Sequence, residues 1–195
     1  MSSNPLPLEH RSAGDAIPPK CEIIEVRVSE LRRLFNAIDP SPFHDRDLDP
    51  GAAEFIVNWA SELPSSVPFG LLVYVESPAD SADEVAMLRS SVHQFFGRKA
   101  EAERRRLREL FRRGRISLII GLTFLSGSSV LATELAGVLS GGLGAVMRES
   151  LIIGGWVAMW RPLEVFLYDW WPIRAQARRF DQLAAMPVRI QYPGA

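Results

Sequence analysis

Cysteine is almost missing from this 195-residue chain: there is one, Cys21. That excludes an intramolecular disulfide framework and any multi-cysteine zinc site. Histidine is scarce too. His10, His44 and His93 lie far apart in the chain, so no His-based catalytic pair is apparent. An excess of one charge sign is also lacking. The 22 Lys+Arg and 23 Asp+Glu leave a net charge of -1, which argues against a protein that coats nucleic acid. There is no P-loop and no dinucleotide fingerprint. Ser140–Gly144 (SGGLG) is glycine-rich, but it sits between two long apolar stretches, where a phosphate cradle has no place. No catalytic residue, metal ligand or cofactor is assigned on this basis. What is present is ample apolar material, 47% of residues, which excludes global disorder. A mean hydropathy of +0.04 conceals how unevenly that material is spread.

Residues 1–20 read as a disordered tail, because Pro5, Pro7, Pro18 and Pro19 block regular structure and no apolar period is visible. The tail lacks the basic start, apolar run and cleavage site of a signal peptide. Residues 21–97 read as a cytoplasmic α/β domain. Ile24, Val26 and Val28 alternate with Glu25 and Arg27, a strand period with one apolar face. Ser29 is placed to cap a helix over 30–37 that buries Leu31, Leu34 and Phe35. Asp49-Pro50 is a helix start, with Ala52, Ile56, Trp59, Ala60 and Leu63 on one face. Phe69–Glu76 is a short apolar run of buried-strand character. Ser81–Glu84 forms a capping box ahead of Val85, Leu88, Val92 and Phe95 at helical spacing, with His93 in a structural role near Phe96. Val188, Ile190 and Tyr192 alternate again. The expected fold class is α/β (α+β): a short, three-stranded sheet with parallel, right-handed connections, completed by a C-terminal helix and strand over 174–195.

Two stretches are long enough to cross roughly 30 Å of hydrocarbon at roughly 1.5 Å per residue. One is Ile116–Leu135, free of charge until Glu134. The other is Leu151–Ile173, which carries Arg161, Glu164 and Asp169. Together they predict a transmembrane hairpin over 116–173. Residues 136–150 are too short for a third span and read as a connection, an interfacial helix or an extension of the first span. Ahead of the hairpin, 98–115 is a basic juxtamembrane helix. Arg104, Arg105, Arg106, Arg108, Arg112, Arg113 and Arg115, with Arg174 beyond the second span, are expected to meet anionic lipid headgroups. The connection carries Arg148 alone, so both termini are expected on the cytoplasmic side. Tyr168, Trp170 and Trp171 sit where an aromatic belt belongs. A soluble protein with two buried core helices is the competing reading. Nucleic-acid binding by the basic run is disfavoured, because the interleaved aromatics of a stacking surface are missing.

Two clusters stand out. Counted from its ends, the second span places Arg161 near its middle, where a charge must face protein or water. Glu164 lies on the same helical side, so an internal ion pair beside a Pro162 kink is expected, with Asp169 beyond it. Ser126, Ser128 and Ser129 are placed at similar depth as hydrogen-bond partners, and Gly127 as the point of close approach. The second cluster is the polar loop Asp39, Phe43, His44, Asp45 and Asp47, running to the Asp49 cap. The calcium-loop pattern fails there, since Pro50 stands where Gly is required and Ile56 where the bidentate Glu should be. An ordered partner-binding loop is the simpler reading.

The strings Phe35–Phe43 (FNAIDPSPF), Asp47–Asp49, Trp160–Glu164 (WRPLE) and Tyr168–Pro172 (YDWWP) resemble those of uncharacterised bacterial inner-membrane proteins that join a cytoplasmic N-terminal domain to two transmembrane helices. The resemblance implies that location and carries over no catalytic residue. The expected function is a non-enzymatic integral membrane adaptor or assembly subunit. It would bind a cytoplasmic protein partner through its loop, and itself or another membrane protein through its hairpin. The alternative is a subunit of an oligomeric transporter or channel, with Arg161 and Glu164 in a polar intramembrane path. A metal enzyme built on His44–Asp49 is a third, weaker possibility.

Overall fold

The computed structural model describes residues 12–36, 47–64, 67–77, 83–138 and 142–192. The chain forms two compact units, one comprising the residues up to 101 and those from 177 onward, the other residues 102–176.

The alternating segments of the first unit form a sheet. Its strands are β1 (Ser12–Gly14), β2 (Glu22–Val28), β3 (Phe69–Val75) and β4 (Val188–Gln191), in the order β1-β4-β3-β2. β2 and β4 each run parallel to β3, and β1 is antiparallel to β4. The register stacks the apolar positions into rows, Ile24–Leu71–Val188 and Val26–Val73–Ile190, and all six are buried. Period-two alternation puts these rows on one face. Their partners are Ala53, Ile56 and Ala60 of α1 (Pro50–Glu62), Met87, Leu88, Val92, Phe96 and Ala100 of α2 (Glu84–Val138), and Phe180 and Leu183 of α4 (Trp170–Ala184). The other face is more polar, with Arg27 stacked over the Tyr74 ring at 5.5 Å.

The sheet thus has four strands rather than the expected three. The extra one, β1, comes from the segment read as a tail. Three residues show no period, so nothing in their pattern announces a strand. They are held by pairing instead. Gly14 adopts φ +116°, and a Cβ there would lie 2.5 Å from the Val188 carbonyl oxygen, so only glycine fits. The next residue, Asp15, accepts from the Arg89 guanidinium at 2.6 Å, and its N–H donates to the Val188 carbonyl at 3.0 Å.

The helix expected over 30–37 is only a 3₁₀ turn, Leu31–Leu34. Longer-range backbone bonds displace the rest. Phe35 bridges Leu48, Asn36 N–H donates to the Asp47 carbonyl at 2.9 Å, and Asp49 N–H donates to the Leu34 carbonyl at 2.8 Å. Leu31, Leu34 and Phe35 are nevertheless buried. α1 begins where the Asp-Pro pair places it: Asp49 Oδ1 accepts from Gly51 N–H at 2.9 Å and Ala52 N–H at 3.1 Å. Its buried face is offset from the expected one. Trp59 is exposed and meets exposed Phe55 edge-on at 5.5 Å. Ser81 of the capping box lies outside the described residues. His93 does have a structural role, with Nε2 2.9 Å from the Met186 carbonyl oxygen.

The second unit is helical. It contains α2 from residue 102, all of α3 (Gly142–Glu164), a π-helical turn (Val165–Asp169) and the start of α4. The basic run and the first apolar stretch belong to one unbroken helix. The stretch 136–150 is helical on both sides of 139–141. Pro162 does not end α3. The widened turn follows it and precedes Pro172, so the chain absorbs two missing N–H donors without leaving the helix. The Trp170 indole donates to the Phe166 carbonyl at 2.9 Å inside that turn.

Candidate functional site

Both helices of the second unit are long and apolar enough to cross a membrane, and only 17% of each apolar window is buried. A core helix of a soluble protein would be mostly covered. Here Ile119, Ile120, Phe124 and Val130 on α2, and Ile153, Trp156, Val157 and Trp160 on α3, all stand exposed. An apolar surface of this extent marks an interaction with lipid or protein. Within this chain the two helices are therefore not covered as the core helices of the competing reading would be.

Close approaches fix how α2 and α3 meet. A Cβ on Gly121 would lie 3.1 Å from the Ala158 carbonyl oxygen, the acceptor whose helical donor Pro162 removes. One on Gly155 would lie 2.6 Å from Leu125 Cδ1, and one on Gly114 2.7 Å from Val165 Cγ1. Phe111 stacks on Phe166 with centroids 6.1 Å apart. The helices are antiparallel, with 121 against 158, 125 against 155 and 114 against 165. Gly127 makes no such contact, since nothing lies within 4 Å of a Cβ there. Gly114, Gly121 and Ser128 recur every seven residues. That heptad of small residues is the signal that marks the packed face.

The structure brings Arg161, Glu164 and Asp169 together as expected. Arg161 Nη1 donates to Glu164 Oε2 at 2.8 Å and lies 3.5 Å from Asp169 Oδ2. It does not bring the serines to them. The register sets Arg161 level with Leu118, and Ser126, Ser128 and Ser129 are roughly 12–16 Å further along at roughly 1.5 Å per residue. Ser128 is buried, whereas Ser126 and Ser129 are exposed. The depth of Arg161 is corrected in the same way. Counting along its own span places it centrally, but the register puts Glu164 level with Arg115, where the basic run ends. The trio therefore marks one end of the apolar zone, and Arg161 is itself 65% exposed. Glu134 marks the other end on α2, and Arg148 and Glu149 do so on α3. From Arg115 to Glu134 is about 28 Å, close to the thickness of a hydrocarbon core.

All eight arginines assigned to lipid headgroups are exposed: Arg104, Arg105, Arg106, Arg108, Arg112, Arg113, Arg115 and Arg174. They share the trio's end of the hairpin with exposed Tyr168 and Trp171 and with Trp170, over which Arg174 lies at 5.7 Å. In the first unit, Asp47 is ion-paired with Arg98. The other candidate loop residues, Asp39, Phe43, His44 and Asp45, lie outside the described residues. Among the described residues no group of three or more His, Cys, Asp or Glu is placed to hold a metal ion. No protein-family model, curated protein or solved structure matches the chain.

Proposed function

We propose that this protein is a non-enzymatic, integral adaptor or assembly subunit of a bacterial inner membrane. Its hairpin sits in the bilayer with both termini on the cytoplasmic side, and its sheet unit is offered to a cytoplasmic partner. The observation that carries this reading is the hairpin's exposed apolar surface, bounded at one end by arginines and aromatics about 28 Å from the carboxylate at the other. Asp47, one of the candidate partner-binding residues, is ion-paired with Arg98.

The alternative, a polar path through the bilayer, finds less support. Glu164 and Asp169 are level with the basic run and Arg161 lies about one helical turn beyond its end rather than midway, and two helices enclose no pore. Labelling tests the arrangement. On a Cys21→Ser background in intact spheroplasts, an impermeant maleimide should modify Arg148→Cys and spare Gln176→Cys. The reverse pattern overturns the orientation. For the adaptor role, cross-linking in native membranes should capture one cytoplasmic protein in near-stoichiometric amount. Purification of the chain alone, together with ion flux through vesicles containing it, would favour the transporter.

A further inference from the structure

Between α2 and the start of α4 lies an open cleft of about 540 Å³, lined by Arg106, Glu109, Arg113, Tyr168, Asp169 and Gln176 over a floor of Leu110, Pro172 and Ile173. We propose that this cleft binds the headgroup of an anionic phospholipid. The assignment rests on the membrane reading above and names the ligand class of that same polar end.

Size, donor chemistry, charge and position carry it. The volume is that of a small-molecule site and suits a glycerophosphate group. The donors are those that hold phosphate: the Arg106 guanidinium, the Arg113 guanidinium, which is shared with Glu109, a phenol and a carboxamide. Both carboxylates in the lining already have a cation, Glu109 in Arg113 and Asp169 in Arg161 at 3.5 Å. Arg106 approaches Glu103 only to 3.7 Å, beyond hydrogen-bond reach, so its donors remain available for an oxyanion. Arg106 and Arg113 balance Glu109 and Asp169 in the lining itself, and the surplus of cations lies in the same two segments, where residues 102–115 and 168–176 hold eight arginines and three carboxylates. The cleft also sits at the edge of the apolar zone, beside Tyr168, Trp170 and Trp171, where a lipid phosphate resides. Its apolar floor suits the glycerol and first acyl carbons of a lipid better than a free ion.

The experiment uses the full chain in detergent micelles. Phosphatidylglycerol is titrated in, with phosphatidylcholine and inorganic phosphate as separate arms, and bound lipid is counted by native mass spectrometry. Phosphatidylglycerol should bind at about one per chain, and the other two should not. The double variant Arg106→Gln/Arg113→Gln should lose about tenfold or more in affinity, since each cation at a headgroup contributes several-fold. Arg108→Gln/Arg112→Gln removes the same charge outside the cleft and should change affinity less than threefold. Gln176→Lys adds a cation to the cleft and should tighten binding about fivefold, a gain that misfolding cannot produce. Equal losses in the two double variants, with no gain in Gln176→Lys, overturn the site and leave only diffuse attraction. Equal binding of inorganic phosphate overturns the lipid assignment. Both results leave the membrane reading standing, whereas recovery of the chain from the aqueous fraction without detergent removes that reading itself.

Discussion

Tyr192 shows what a single buried polar contact does in this chain. Its hydroxyl donates to Glu84 Oε2 at 2.8 Å, joining the residue after β4 to the first turn of α2. Burial first, and then the Glu84 carboxylate, push its pKa well above the usual tyrosine value. Because the folded value is the higher one, the contact contributes fully below about pH 10, where tyrosine is neutral in both states. Its contribution is lost as pH rises further, since the unfolded chain ionises first. Denaturation midpoints measured by circular dichroism at pH 8–11 should therefore fall above pH 10, and Tyr192→Phe should flatten that fall while lowering the midpoint at pH 8. A parallel fall in both proteins would contradict the assignment. Asp49 is a simpler case. Its carboxylate bonds two of the orphan donors of α1, so Asp49→Ala should cost about 1 kcal/mol, read from the same denaturation curves.

Among the elements, the hairpin depends on glycines of unequal importance. At Gly121 an added side chain runs into the Ala158 backbone, which cannot swing aside, whereas at Gly127 it meets open space. Gly121→Ile should destabilise the hairpin by about 1–3 kcal/mol, as overpacking does, while Gly127→Ile should be nearly neutral when both are unfolded in mixed micelles. Sequence reading selected the wrong one of the two. Gly127 sits among serines in the middle of an apolar run, but which glycine faces the partner helix depends on the heptad phase joining Gly114, Gly121 and Ser128. The strands divide the same way. β2, β3 and the return of β4 are legible because Ile24/Val26, Leu71/Val73 and Val188/Ile190 alternate, but β1 is not. Its three residues carry no period, and the bonds that hold it run to Val188 and Arg89, far away in the chain. Likewise, Leu31–Phe35 announced its burial but not its shape, because the backbone bonds of Asn36 to Asp47 and of Asp49 to Leu34 override local helix preference.

At the scale of the whole molecule, the division into a sheet unit and an apolar hairpin was readable from hydropathy and charge alone. The level of Arg161 was not, since depth belongs to two paired helices and not to one stretch counted from its ends. The first unit draws its stability from one shared core. Leu88, fully buried there, should cost about 2–5 kcal/mol when cut to Ala, seen as a lower thermal midpoint. The account as a whole stands on the hairpin residing in lipid. Alkaline carbonate extraction of membranes expressing the untagged full chain tests this most directly. The protein should stay in the pellet and be released only by detergent. Its appearance in the carbonate supernatant as monodisperse material would contradict the account.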